Sequence, residues 1–236
     1  MAFLDKLDGF YGTGERDSAG RTLEEFLEVY DARKYDTPAN TTDIVVVRCR
    51  ERLEHWGQPL QVLMVKRSNH PSIGFWATPG GFVEMRENLY EGAARELEEE
   101  TGVKDLPLMQ LSPWGDYDRD PRWRVITTAF VALVEGDTTV QAGDDAADAV
   151  WMDVELFSEA GESGKGAARE IWILKLSNEE KNVHLHAKIE IIHSPHRLLS
   201  QESYKLLECD GIAVDHGCII TQALLYLRKQ LIIKCN

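Results

Sequence analysis

The glutamate-rich stretch at residues 81–103 constrains this chain more than any other part of its sequence. After Gly80 and Gly81 the pattern becomes helical over residues 88–101, and Gly102 stands where a helix end favours a left-handed residue. At about 100° per residue, one side of this helix carries a compact, mostly apolar stripe. Its members are Tyr90, Ala93, Ala94, Leu97 and Thr101. A helix with such a stripe requires a packing partner, and a sheet is the partner we expect.

The opposite side of the predicted helix carries three carboxylates. Glu96, Glu99 and Glu100 fall within roughly a 100° arc, and Gly92 places no side chain on that face one turn earlier. Three carboxylates this close repel one another unless a cation lies between them. Oxygen ligands with no nearby histidine or cysteine favour magnesium or manganese. The alternative is a solvated acidic face, which most glutamate-rich runs form.

The spacing of the fixed residues resembles the signature of the Nudix family. Gly81, Glu87 and the run at 95–103 fill every position of that signature, which chance would produce with a probability on the order of 10⁻⁸ at residue frequencies of about 7%. The resemblance implies an α/β/α sandwich with a mixed sheet, of the α/β (α+β) class. It also implies a hydrolase that depends on Mg²⁺ or Mn²⁺ and uses water to cleave a diphosphate linked to a nucleoside.

The same resemblance implies roles within the signature. Glu99 and Glu100 are expected to be metal ligands. Glu96 is expected to be either a further ligand or the general base that deprotonates water. Glu87 and Arg95 match positions that organise the loop and the helix, with Arg95 paired to a carboxylate.

The rest of the chain alternates strand and helix patterns without internal repeats, which favours helices packed on a sheet. Residues 1–40 are predicted to form a lead with one helix at 22–33, and residues 41–236 to form a single domain. Strands are expected at 42–48, 60–66, 106–114, 123–134 and 150–152, an extra β-hairpin at 171–192, and a last helix at about 216–231.

Basic residues and glycines near the signature are the candidates for binding the substrate. Arg67 ends the second predicted strand and is expected to contact phosphate, with a solvated strand end as the alternative. Arg122 and Arg124 point to one face if their segment is extended, although Arg122 could instead pair with a nearby aspartate. Gly80 and Gly81 allow the backbone to turn tightly and to approach a ligand.

Two acidic positions outside the signature leave alternatives open. Some Nudix proteins take an additional base or metal ligand from a loop such as 135–149, and Asp145 is the candidate here, although acidic loop residues are more often simply solvated. Asp215 and His216 resemble a helix start in which the carboxylate caps exposed amides. A catalytic Asp–His pair is the alternative, but no serine or cysteine nucleophile has a recognisable context.

Two further segments resemble ADP-ribose pyrophosphatases of the Nudix family and the related regulators of NAD metabolism. They are residues 115–125, which contain Asp-Arg-Asp-Pro-Arg, and residues 35–46. The resemblance makes ADP-ribose, cleaved to AMP and ribose 5-phosphate, the expected substrate. The alternatives are another nucleotide, such as a modified nucleoside triphosphate or a dinucleotide, and a regulator that binds ADP-ribose and also DNA through a winged helix.

Composition excludes several classes of protein. The formal net charge of −14 argues against non-specific binding of nucleic acid, which depends on clustered lysine and arginine. It also means that a polyanionic substrate needs local neutralisation. The chain lacks a signal-like start and an apolar run of membrane-spanning length, and its four cysteines form no metal-binding pattern. We therefore expect a cytoplasmic enzyme with a nucleotide substrate, and a homodimer in which the predicted hairpins pair.

Overall fold

The computed structural model of the 236-residue chain describes residues 3–136, 146–159, 163–164, 167–194 and 201–234. Two compact units are present, Met1–Thr37 and Pro38–Asn236. The first contains helix α1 (Leu23–Val29), which begins with a reciprocal capping box between Thr22 and Glu25. The helix ends before the predicted boundary at residue 33, because Tyr30 is already extended.

A mixed sheet dominates the second unit. Its strands are β1 (Ala39–Cys49), β2 (Gln61–Arg67), β3 (Trp76–Ala77), β4 (Gly80–Phe82), β5 (Met109–Trp114), β6 (Val125–Glu135), β7 (Ala146–Glu159), β8 (Ser163–Gly164), β9 (Ala167–Asn178), β10 (Val183–Ser194) and β11 (Gln201–Asp210). Within the described residues the main strand order is β11-β10-β9-β7-β2-β1-β6-β5. β1 runs parallel to β6 and antiparallel to β2 and to the short β4.

Two helices cover opposite faces of this sheet. They are α2 (Leu89–Thr101) and α3 (His216–Lys234). The alternation of side chains along β1 divides the core, because Ile44 and Val46 pack with α2, whereas Val45 and Val47 pack on the side of α3. A strand buried on both faces reads as a continuous apolar run. The predicted α/β/α sandwich of the α+β class is confirmed.

The sheet curls around α3. Trp114 of β5 and Tyr204 of β11 lie at opposite ends of the strand order, yet their ring centroids are 5.7 Å apart. Residues 218–221 of α3 are all buried, so every side of its first turns faces protein. Gly217 leaves room for β10, because a Cβ at this position would lie 2.8 Å from the Cβ of Ala187.

The outer strands differ most from the prediction. The strand expected at 150–152 is only the middle of β7, and β11 was not predicted. β11 carries mostly exposed side chains and many polar residues, so its sequence resembles a loop. The hairpin expected at 171–192 is confirmed as β9 and β10, which pair on either side of a turn between Asn178 and Val183.

The described cysteines are free thiols, namely Cys49, Cys209 and Cys218. This agrees with the absence of a paired-cysteine pattern in the sequence. Across the described ranges, no helix combines the length and apolarity that crossing a bilayer would need.

Candidate active site

A cleft of about 340 Å³ opens where β1, the segment 78–82, α2, the loop 115–124 and the start of α3 come together. Among the described residues, its walls contain as many cationic side chains as carboxylates. The carboxylates are Asp43, Glu96, Glu100 and Asp120, and the cations are Lys66, Arg67, Arg119 and Arg122. The cleft is therefore locally balanced in a chain whose net charge is −14. This balance removes much of the electrostatic barrier to an anionic substrate.

Glu100 of α2 lies in the wall of this cleft. Its Oε2 accepts a hydrogen bond from the backbone N–H of Gly80 at 2.9 Å. Burial, followed by the nearby charges of Glu96 and Asp43, raises the pKa of the Glu100 carboxyl from an ordinary 4.5 to about 7. A cation in the cleft would oppose this shift, because it favours the ionised carboxylate.

The raised pKa of Glu100 predicts a pH-dependent stability. The folded chain holds this proton more tightly than the unfolded chain does. The resulting stabilisation is therefore complete below pH 4.5 and is lost as pH rises through about 7. Without metal, we expect the wild-type protein to lose up to about 3 kcal/mol from this group between pH 5 and 8. Thermal unfolding in EDTA at both pH values, compared with Glu100→Gln, measures the difference; parallel curves for the two proteins would contradict it.

Glu96 faces the same cleft one turn earlier on α2. Its carboxylate lies so close to Gly81 that a Cβ added there would overlap the carboxylate atoms. At Gly80, where φ is 153°, a Cβ would collide with the carbonyl oxygen of Thr42. Burial raises the pKa of Glu96, and Arg95 opposes that shift. The two glycines therefore allow the backbone to pass between β1 and the Glu96 carboxylate.

Arg95 holds the acidic groups around the helix together. Its Nε and Nη2 donate to the two oxygens of Glu87 at 2.8 and 2.9 Å. Its Nη1 donates to Glu96 at 2.8 Å and to Glu99 at 3.0 Å. The Arg95 guanidinium lowers the pKa of Glu87. Gly92 leaves room for that pair, because a Cβ at Gly92 would lie 2.9 Å from a Glu87 oxygen.

The predicted trio of glutamates is not brought together in full. The side chain of Glu99 is 59% exposed, is bound to Arg95, and does not line the cleft. In the part of the chain that the structure describes, no three carboxylate, imidazole or thiol groups are arranged to hold a metal ion. Glu96 and Glu100 do bring two hard oxygen donors to the cleft. Magnesium commonly binds through one or two carboxylates and completes its coordination with water and substrate phosphates, so this donor set fits magnesium bound together with a phosphorylated substrate.

Two of the three predicted arginines line the cleft. Arg67 lies in its wall. Arg122 also lies there and donates from Nε and Nη2 to the two oxygens of Asp120 at 3.0 and 2.8 Å, so it is both a cleft residue and an ion-pair partner. Arg124 donates to the backbone carbonyl of Asp116 at 2.9 Å and does not line the cleft.

The acidic loop candidate, Asp145, lies outside the described residues. Its neighbour Asp148 belongs to β7 and accepts a hydrogen bond from Lys181 Nζ at 2.7 Å. Asp148 is not part of the cleft wall.

The sequence did not single out Asp43 and Arg119, and it did not place His216 in the cleft. A carboxylate inside the apolar run of β1 was a usable signal, because such residues are seldom buried without a partner. Asp215 stands at the start of α3, but its carboxylate accepts two hydrogen bonds from Arg119, at 2.8 and 2.9 Å. His216 bonds Thr78 and lies 3.9 Å from Asp43, so its acidic neighbour comes from β1.

Comparison with known proteins identifies a matching family model and similar proteins. A family model described as NUDIX domain matches residues 39–172, more than half of the chain. The chain is 42% identical over 94 residues to the ADP-ribose pyrophosphatase of Methanocaldococcus jannaschii, covering 40% of this chain and 55% of that protein. It is 33% identical over 134 residues to the ADPR responsive transcriptional repressor NtrR of Acinetobacter baylyi, covering 56% of this chain and 51% of that protein. The chain thus spans about half the length of the curated relatives it matches.

A solved structure resembles the fold beyond this region. The NUDIX domain of Shewanella oneidensis NrtR, crystallised in complex with ADP ribose, superposes with a TM-score of 0.57 and 25% sequence identity. The match covers 88% of this chain and 99% of that one.

Proposed function

This chain belongs to the Nudix family, and on that basis we propose that it hydrolyses a diphosphate bond in a nucleotide-derived substrate, with ADP-ribose as that substrate and AMP and ribose 5-phosphate as products. The observation that carries the proposal is that Glu96 and Glu100 of α2 line the same cleft as Arg67 and Arg122. Carboxylates that suit a hard cation and cations that suit phosphate thus share one cavity. The named relatives support ADP-ribose in particular, since one is a pyrophosphatase of this nucleotide and another a repressor responsive to it.

The basic and acidic residues of the cleft have different roles in this proposal. Arg67 and Arg122 bind phosphate oxygens and hold the diphosphate against α2. Glu100 would hold the divalent cation, and Glu99 would join it only by leaving Arg95. When bound, magnesium supplies charge neutralisation at the phosphates and lowers the pKa of the attacking water. Glu96, which Arg95 holds in place, would either ligate the cation as well or take the proton of that water.

A substrate panel tests this function. We expect the purified protein to release AMP and ribose 5-phosphate from ADP-ribose when magnesium is present, and to stop when EDTA is added. A modified nucleoside triphosphate and a dinucleotide serve as comparison substrates, because the alternatives within the family act on such molecules. Rapid turnover of either one, with ADP-ribose left intact, would remove the ADP-ribose assignment.

A second candidate function is regulation through DNA binding, because a repressor is among the similar proteins. The net charge of −14 weighs against it, since affinity for DNA depends on clustered basic residues. A mobility-shift assay at low salt, with and without ADP-ribose, distinguishes the two. A shift that responds to ADP-ribose would favour the regulator.

The homodimer also belongs to this proposal. β9 pairs with β7 and β10, and β10 pairs with β9 and β11, so within the described residues both hairpin strands already have neighbours in their own chain. Pairing between subunits that extends this hairpin would therefore use the edge strand β11. A monomeric mass by light scattering would contradict the dimer.

A further inference from the structure

Three buried polar side chains occupy the corner of the cleft beside the start of α3. The side chains of Asp43, Arg119 and His216 are only 10%, 8% and 9% exposed. His216 Nε2 lies 3.9 Å from Asp43 Oδ1, and Arg119 Nη2 lies 3.7 Å from Asp43 Oδ2. Both gaps are longer than a hydrogen bond. Within the described ranges of the chain, the Asp43 carboxylate therefore has cationic or polar neighbours but no hydrogen-bond partner.

The ring of His216 is fixed by Thr78. The backbone N–H of Thr78 donates to Nδ1 at 3.2 Å, and Thr78 Oγ1 lies 2.9 Å from the same nitrogen. Because Nδ1 accepts, the ring proton is on Nε2. That nitrogen lies 3.9 Å from Asp43 Oδ1. His216 thus presents a donor of fixed direction to the cleft.

Arg119 is fixed by Asp215. Its Nε and Nη2 donate to the two Asp215 oxygens at 2.8 and 2.9 Å. A planar guanidinium that is bound at two nitrogens cannot rotate without breaking both bonds. The cleft therefore has one positioned donor near each oxygen of the Asp43 carboxylate, His216 Nε2 at 3.9 Å from Oδ1 and Arg119 Nη2 at 3.7 Å from Oδ2.

A pair of hydroxyl groups fits these two donors and the carboxylate between them. A hydroxyl can accept a hydrogen bond from a donor and donate one to a carboxylate. One hydroxyl can therefore lie between His216 and Asp43, and a second between Arg119 and Asp43. A phosphate oxygen only accepts, and the charge of Asp43 would repel it. Two hydroxyls on adjacent carbons also match the two oxygens of one carboxylate. We propose, on the basis of the function proposed above, that Asp43, Arg119 and His216 bind the vicinal diol of a ribose in the substrate.

Two riboses in ADP-ribose can supply this diol, and substrate analogues distinguish them. One analogue carries 2-deoxyribose on the adenine side of the diphosphate, and the other carries it on the far side. With magnesium, we expect kcat/KM to fall about 10- to 100-fold for one of them, as when a hydrogen bond to a charged group is lost. The analogue that falls identifies the bound ribose. Equal kcat/KM for ADP-ribose and both analogues overturns the proposal.

Variants of Asp43 and His216 show whether these residues cause the difference in kcat/KM between ADP-ribose and the deoxy analogue. Asp43→Asn keeps the shape of the side chain but loses the charged acceptor. His216→Asn keeps an acceptor for the Thr78 N–H and removes the Nε2 donor. In both variants the ratio of kcat/KM between ADP-ribose and the sensitive analogue should fall toward one.

Asp120→Asn is the matched control, because Asp120 lines the same cleft but is paired with Arg122, and it should keep the wild-type ratio. Variants of Asp43 and His216 that lower both rates equally, and so keep the ratio, would overturn the proposal.

Binding measurements separate this proposal from the proposed function. Calorimetry in EDTA gives the Kd of ADP-ribose and of each analogue without turnover. Tighter binding of ADP-ribose than of one analogue supports the diol site even if no hydrolysis occurs, in which case only the proposed function fails. Hydrolysis of ADP-ribose without discrimination overturns the diol site and leaves the function in place. Absence of both binding and hydrolysis overturns both.

Discussion

Replacing Glu100 with glutamine is expected to lower kcat for ADP-ribose by about a thousandfold, the scale of removing one charge that supports the transition state. Glutamine keeps the size of the side chain, and its carbonyl oxygen can still accept from the N–H of Gly80. It cannot carry the negative charge that a divalent cation needs. Steady-state release of AMP at saturating magnesium and substrate measures the effect.

The matched control for this variant is Glu98→Gln on the same helix. Glu98 is exposed and paired with Lys104 at the surface, and exposed ion pairs contribute little. We expect its kcat to remain within about twofold of the wild-type value. A Glu100→Gln protein as active as this control would contradict the assignment of Glu100 to the metal site.

Replacing Arg95 with methionine is expected to reduce the free energy of unfolding and to abolish most activity. The substitution leaves Glu87 and Glu96 partly buried beside each other without the cation that now separates them. Because the Arg95 side chain is 26% exposed, we expect a cost of about 2 kcal/mol, less than for a fully buried pair. The melting temperature should fall by about 4–8 °C, which differential scanning calorimetry measures.

Lys104→Met is the comparison for Arg95→Met. It also removes a cation that pairs with a glutamate of α2, but this pair is exposed. The expected change in unfolding free energy is below about 0.5 kcal/mol. Equal stability of the two variants would contradict a stabilising role for the hydrogen bonds of Arg95 with Glu87 and Glu96.

Local patterns predicted the parts of the fold whose burial is regular. The helix expected at 88–101 is α2, because its apolar stripe and the glycine after it are encoded within a few residues of one another. β1 was recognised from its continuous apolar run. β11 is not predicted because most of its side chains are exposed and many are polar, and β7 is predicted too short because residues 153–159 are exposed or only half-buried. The curl of the sheet brings Trp114 of β5 close to Tyr204 of β11, and no local pattern encodes that contact.

The candidate site was predictable to the same extent. Helical spacing placed Glu96 and Glu100 on one arc, and both line the cleft. Glu99 lies on that arc as well, but Arg95 binds it at the surface, and spacing alone does not reveal such a contact. Asp43, Arg119 and His216 come from three distant segments, so only the folded chain shows that they meet.

The enclosed position of α3 bears on how the protein is made. Synthesis proceeds from the N-terminus, so the strands of the sheet leave the ribosome before residues 216–234 do. Until α3 emerges, the face of the sheet that packs against it stays exposed. Its apolar side chains can then bind chaperones or associate with other chains. Because Asp215 and His216 arrive with the same helix, the cleft also gains its last wall at that moment. The second unit should therefore become compact and competent to bind substrate only after residues 216–234 have emerged.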